Sequence, residues 1–306
     1  MESCDYLKNH NIEYLVNGRV SVLSYVGIGG YAPLIVYPRD RCELLCVLSY
    51  LSRHGLPYKV VGYMSNVLPP DGDWGVCLIS TRRIKGYHFD KDRVIFDCGV
   101  SLSSLCRLMA NRGYLPPIGL CGIPATVGGA VYQNAGAFGN EISDTLLYAD
   151  IYDPREDRVV RASRDEMKFS YRSSDLRVRG VLLSAAFSLQ KSDPQAAEAE
   201  MARALEKRRA SQPSGLSLGS VFLRVGDVSA AYYIDCAGLK GYRIGGACIS
   251  EKHAGFIINE GGATARDYRT LVAYIQSKIS ERFGVQLKTE IEIIEESEGA
   301  AWLRFA

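Results

Sequence analysis

The chain has 306 residues, 47% of them apolar, and a formal net charge of +2. That length exceeds what one core usually covers and predicts two or three domains, and the composition excludes a disordered chain. Near-neutral charge without a basic stripe argues against a dedicated nucleic-acid binder, and no apolar run reaches membrane-spanning length.

The opening MESCDYLKNHN is no signal peptide. Nine cysteines are scattered without a C-x-x-C pair and are accompanied by four histidines, so zinc sites and disulfide frameworks are poorly supported. A reducing cytoplasm is expected. In RDRCELLCVLSYLSRHG, Leu44, Leu45, Leu48 and Leu51 share one helical face, and the helix stops at Gly55. Cys42 and Cys46, one turn apart, read as buried small hydrophobes. YKVVGY follows as a buried strand and RVIFDCGV as another. SLSSLCRLMANRG is a helix with Ser101 as N-cap and Gly113 at its end. LLYADIYDPREDRVVRA is a hairpin turning at Asp153 and Pro154, and GVLLSAAFSL is a further strand.

DPQAAEAEMARALEKRRA is an alanine-rich helix whose closing cations suit the helix dipole. SQPSGLSLG, from Ser211 to Gly219, reads as the clearest linker. Beyond it, TARDYRTLVAYIQSKISERFG opens with a capping box from Thr264 to Asp267. It buries Leu271, Val272, Ile275, Ile279 and Phe283. The closing VQLKTEIEII alternates, so Val285, Leu287, Ile291 and Ile293 share one strand face. The predicted architecture is α+β, a large front part joined to a smaller back part near residue 212.

The stretch GIPATVGGAVYQNAGAFGNE, Gly122 to Glu141, holds five glycines and four alanines and a single charge, Glu141. Bare backbone lets a ligand approach amide groups, as a pyrophosphate requires. No lysine follows to make a Walker loop, and neither this run nor GIGGYA supplies a Rossmann fingerprint. From composition alone, plain turns and a cofactor cradle both remain open.

GIPATVGGAVYQNAGAFGNEISD, FSYRSSDLR, GSVF, AGLKGYRIGGACISEKHAGFIIN and LKTEIEII occur in this order. Together they resemble the UDP-N-acetylenolpyruvoylglucosamine reductase family, in its subtype without an extra tyrosine loop. The resemblance runs from about residue 20 to 295. It implies a two-lobed FAD-binding domain of the vanillyl-alcohol-oxidase type and a smaller C-terminal α+β substrate domain. The expected division is residues 1–65 with 289–306 for the first lobe, 66–212 for the second, and 213–288 for the substrate domain. It further implies FAD, NADPH as reductant, UDP-N-acetylglucosamine enolpyruvate as substrate, no nucleic-acid or membrane partner, and a monomer.

By the same resemblance, Ser220 is the proton donor, Arg172 holds the enolised carboxylate, and Glu290 binds the enolate. Expected cofactor contacts are Ser65, Asn66, Gly122, Ile123, Pro124, Gly128, Gly129, Asn134, Gly136 and Ala137. Tyr171 is open between packing and substrate contact, and Arg224 is a candidate for a diphosphate. On residue type alone, Ser220 reads rather as a turn serine and Arg172 as a solvated loop arginine, the commoner fate of either. The alternation in the closing strand independently sets Glu290 opposite Ile291 and Ile293, facing solvent or a cleft.

Two departures stand out. Tyr63 and Met64 in GYMSN replace glycines that let the loop hug the pyrophosphate, and Leu223, Arg224 and Val225 replace Lys-Asn-Pro. The first motivates a rival reading, a drifted relative without FAD that binds a UDP-sugar or regulates. GLSLG also forms a G-x-S-x-G around Ser217, with Asp235 and His253 following, but no apolar strand feeds it and it reads as chance.

Overall fold

The computed structural model describes residues 2–295. In chain order, the first unit comprises α1 (Glu2–Asn9), β1 (Glu13–Arg19), β2 (Tyr31–Tyr37), α2 (Arg41–Arg53), β3 (Tyr58–Val61), β4 (Val67–Leu68) and β5 (Cys77–Ser80). Its sheet has the order β1-β2-β5-β3, with β5 parallel to both neighbours. That sheet runs past residue 65, where the lobe boundary is expected, because β5 enters between β2 and β3.

The second unit comprises β6 (Tyr87–Phe89), β7 (Arg93–Asp97), α3 (Leu102–Ala110), α4 (Val127–Gln133), β8 (Gly136–Ala137), β9 (Asn140–Glu141), β10 (Leu146–Asp153), β11 (Arg158–Ser163), β12 (Phe169–Ser170), β13 (Ser173–Ser174), α5 (Leu176–Arg179), β14 (Val181–Ser188) and α6 (Pro194–Ser211). Its main sheet is β11-β10-β14-β7-β6. The third unit comprises β15 (Leu216–Ser220), α7 (Ala230–Cys236), β16 (Arg243–Ile244), β17 (Ala247–Ile249), β18 (Phe256–Asn259) and α8 (Ala265–Phe283), with sheet order β15-β18-β17-β16. A last short strand, β19 (Glu292–Ile293), returns to pair in parallel with β4.

The first two units share one core, in which Leu34, Val36 and Ile79 join Leu44, Val47, Leu48 and Leu51 of α2 and Phe96, Ile151 and Phe187 of the second sheet. A second core lies under α8, where Leu271, Val272, Ile275 and Ile279 meet Val26, Ile28 and Leu68 of the first unit. Polar contacts follow the same seam. Asp71 accepts from the amides of Ala265 at 2.6 Å and Arg266 at 3.0 Å, adding a cap from another unit to α8. Thr264 and Asp267 complete the predicted capping box.

Most predicted elements form, with the caps of Ser101 and Thr264 as expected. Five expectations need correction. Cys42 and Cys46 are exposed, because α2 turns Leu44, Leu48 and Leu51 inward and leaves their side to solvent. β3 is half-buried rather than buried, since its residues line the cleft described below. The stretch 211–219 is mostly not a linker, as β15 begins at Leu216 and pairs with β18. Phe283 remains exposed at the end of α8, its ring edge-on to Tyr233. The closing alternation is a strand only at Glu292–Ile293. Before that, the chain is held by single bonds, Leu223 N to Lys288 O at 2.9 Å and Glu290 N to Val221 O at 2.8 Å.

Candidate active site

A cleft of about 1050 Å³ is lined by all three units. Arg172, Ser220 and Glu290 all lie on its wall. Arg172 occupies the turn between β12 and β13 with φ +56°, a left-handed conformation that costs a non-glycine residue on the order of 1 kcal/mol or more. Its guanidinium holds that turn in place. Nη2 donates to Gly136 O at 2.7 Å and Nε to Glu290 Oε1 at 2.8 Å.

Glu290 is fixed at both ends. Its amide bonds to Val221 O, its carbonyl accepts from Asn66 Nδ2 at 3.1 Å and Gln133 Nε2 at 3.5 Å, and its carboxylate takes Arg172. Burial pushes the carboxyl above the ordinary range, and the charge and hydrogen bond of Arg172 only partly reverse this. Ser220 ends β15 after Gly219, whose φ of +75° turns the chain at a bulge. The Ser220 hydroxyl bonds to nothing among the described residues and is open to the cleft.

Ser65, Asn66, Gly122, Ile123, Pro124, Gly128, Gly129, Gly136 and Ala137 line the same cleft. Asn134 does not reach it. It is wholly buried at the left-handed end of α4, donating to Glu141 at 2.6 Å and to Ser170 O at 3.1 Å. The glycine-rich stretch is also less open than its composition suggests. Val127 N bonds to Val100 O, Gly128 N to Cys98 O and Gly129 N to the Thr126 hydroxyl.

The open amides lie instead in GYMSN. Those of Tyr63, Met64, Ser65 and Asn66 meet no acceptor among the described residues, and all four residues line the cleft, so this run offers donors for phosphate oxygens. Met64 adopts φ +54°, the backbone a glycine would give, and buries its side chain with Val20, Val61 and Trp74. Arg82 braces the loop from behind. It donates to Gly62 O at 3.1 Å and to Leu23 O, and lies 5.1 Å from the Tyr63 ring. Apolar wall from Val61, Ile123, Pro124, Ala125 and Leu218 adds a surface for a flat ring. These features fit a flavin dinucleotide: amides for its phosphates and apolar faces for its ring.

Tyr171 and Arg224 stand outside the wall. The Tyr171 ring lies 4.9 Å from the Arg172 guanidinium and is half-exposed, and the positive charge of Arg224 is felt at its phenol. Tyr171 thus adjoins the wall through Arg172, and Arg224 is near enough to Tyr171 to act on its phenol. Ser217 lies inside β15 and on no strand-to-helix turn, so the G-x-S-x-G match builds no nucleophile elbow.

Sequence reasoning missed several cleft residues. Lys59 pairs with Glu292 at 2.8 Å across β3 and β19. Gln133 is steered by Arg177, which donates to its Oε1 and stacks 4.2 Å from Tyr132. Arg208 on the wall, and Arg82 behind the loop, bond mainly to carbonyls, and no motif marks such roles.

Residues 212–294 match the family model of the UDP-N-acetylenolpyruvoylglucosamine reductase C-terminal domain, and residues 32–163 match that of an FAD binding domain. A curated UDP-N-acetylenolpyruvoylglucosamine reductase from Caldicellulosiruptor bescii is 41% identical over 305 residues, covering 97% of this chain and 96% of its own. One from Streptococcus uberis is 36% identical over 289 residues, covering 94% and 95%. The crystal structure of UDP-N-acetylenolpyruvylglucosamine reductase from Thermus caldophilus superposes with a TM-score of 0.77 at 29% identity, covering 93% of this chain and 99% of its own.

Proposed function

The chain belongs to the UDP-N-acetylenolpyruvoylglucosamine reductase family, and on that premise we propose how its own residues share the work. It is an FAD-dependent oxidoreductase that reduces UDP-N-acetylglucosamine enolpyruvate to UDP-N-acetylmuramate with NADPH, in peptidoglycan precursor synthesis. FAD, when bound, supplies the hydride it has received from NADPH.

The open amides of Tyr63 to Asn66 take the pyrophosphate, and Gly122 to Pro124 with Gly136 and Ala137 flank the ring. Arg172 takes the substrate carboxylate, whose two oxygens suit a planar guanidinium. Charge then develops on that carboxylate and the adjoining carbon. Glu290, held toward its protonated form by burial, donates a hydrogen bond to the developing enolate. Ser220 delivers a proton to the inner carbon. A hydroxyl is a weak acid, so its effect rests on being held against a strong carbon base. Tyr171 adjoins the carboxylate site through Arg172, and Arg224 is a candidate for a diphosphate.

The third unit covers the substrate, and the first two hold the cofactor, with their boundary nearer residue 86 than 65. All three reacting groups come from one chain, so the proposed monomer needs no second copy to complete the site. Nine free thiols support a reducing, cytoplasmic setting. No helix among the described residues is long and apolar enough to cross a membrane.

The observation that carries this reading is the 2.8 Å bond between Arg172 and Glu290, on the cleft wall that also presents Ser220. Ser220→Ala tests it. NADPH should still bleach the flavin of the variant, and the enolpyruvyl sugar should fail to restore the colour. Reoxidation at the wild-type rate would remove Ser220 from the mechanism. A relative that has lost FAD is not favoured, since the open amides beside the cleft persist.

A further inference from the structure

Arg208 lies in the last turn of α6 and lines the cleft. Its Nε donates to Cys121 O at 3.1 Å, Nη2 to Gly119 O at 3.3 Å, and Nη1 to Gln212 Oε1 at 3.0 Å. The two carbonyls belong to the turn that leads into Gly122, Ile123 and Pro124 on the cleft wall. Gln212 is the residue where the chain leaves α6 for the third unit. One planar guanidinium therefore joins three segments.

The stem of Arg208 contributes as much as its head. Gly122 has φ +79°, and a Cβ there would lie 3.1 Å from Arg208 Cδ and 2.8 Å from Leu205 Cδ2. The turn is thus pressed flat against α6. Phe138, in the loop joining β8 and β9, adds its ring 5.3 Å from the guanidinium carbon. Burial disfavours the charge of Arg208, and among the described residues the group that offsets this is the Cys121 thiol rather than a carboxylate. A cation kept half-buried on carbonyl acceptors alone is expensive to maintain, and a plain surface arginine has no need of such a setting.

We infer that Arg208 is a positioning residue for the cofactor: it fixes the Gly119–Gly122 turn against α6 and links that turn to the start of the third unit. Removing the fork frees two carbonyls, so the turn loosens where it meets the cofactor. Lysine keeps the charge and the stem, but bonds one carbonyl at a time and recovers only part of the effect. The inference rests on the cleft holding FAD, and one arm of its test does not.

The test uses the full-length protein with Arg208→Met and Arg208→Lys. In flavin-free protein, the rate of alkylation at Cys121 is followed by peptide mass spectrometry, with Cys77, buried in the first sheet, as the control for global unfolding. Arg208→Met should raise the Cys121 rate at least tenfold and leave Cys77 unchanged. FAD should then bind at least tenfold more weakly and show an altered visible band, with Arg208→Lys between wild type and Met on both measures. Equal acceleration at both cysteines, no acceleration at Cys121, or a loosened turn with unchanged FAD affinity and spectrum would each overturn the inference. Failure of the wild type to take up FAD would instead sink the functional reading, while the cysteine arm still decides whether Arg208 fixes the turn.

Discussion

Replacing Glu290 with glutamine removes a charge from the cleft wall while nearly preserving shape. Two effects oppose each other in stability. The bond from Arg172 Nε loses the carboxylate's charge and keeps only that of the guanidinium, a loss of about 1 kcal/mol. Against this, the buried carboxylate no longer has to be desolvated. Burial is the larger influence on Glu290, since its carboxyl sits above the ordinary range despite the adjacent arginine.

The folded wild type therefore binds the Glu290 proton more tightly than the unfolded chain does. This favours folding below the ordinary value of 4.5 and is lost as pH rises through the raised folded value. The variant has no such loss. At pH 7 it should lie within about 1 kcal/mol of wild type, or slightly above it, and its relative stability should improve between pH 4.5 and neutrality. Activity should fall by about 10²- to 10³-fold in kcat, because an amide N–H replaces the more acidic carboxyl O–H at the developing oxyanion. Thermal melts across that pH range, paired with steady-state rates, check both halves. A stability loss of roughly 3 kcal/mol at pH 7 would mean that the ion pair outweighs burial, and would refute this account of Glu290.

Asp71→Ala removes the acceptor for two amides at the start of α8 and should lower stability by about 1–2 kcal/mol in urea melts, although the Thr264 box remains. An effect below a few tenths would show that the box alone suffices. Met64→Gly relieves a left-handed backbone but gives up a buried side chain, so a net loss of about 1–2 kcal/mol is expected, with FAD affinity within threefold of wild type. A large loss of FAD affinity in calorimetry would show that the methionine side chain, and not only the loop amides, shapes the phosphate site.

The helices were legible where periodicity and caps agree, as in α8 with Thr264, Asp267 and a continuous apolar face. Patterns misled where burial and hydrogen bonding part company. Leu287 and Ile291 are both buried, yet their segment finds only isolated bonds, so alternation there marks an inner side without a ladder. Helix α4 forms in a glycine-rich stretch because Val100 and Cys98 accept from its first amides, a tertiary cause outside local propensity. The reacting trio was legible only through the resemblance. Arg208 was hidden, because cations at a helix end have an adequate local explanation that masks their carbonyl partners.

The main chain of Glu290 is gripped from three directions: Val221 from the third unit, Asn66 from the first and Gln133 from the second. The acid group is thus a keystone whose seat does not exist until every unit has docked. Fragments that fold alone should be catalytically silent, and a lesion at any of the three seams should read out at the same carboxyl.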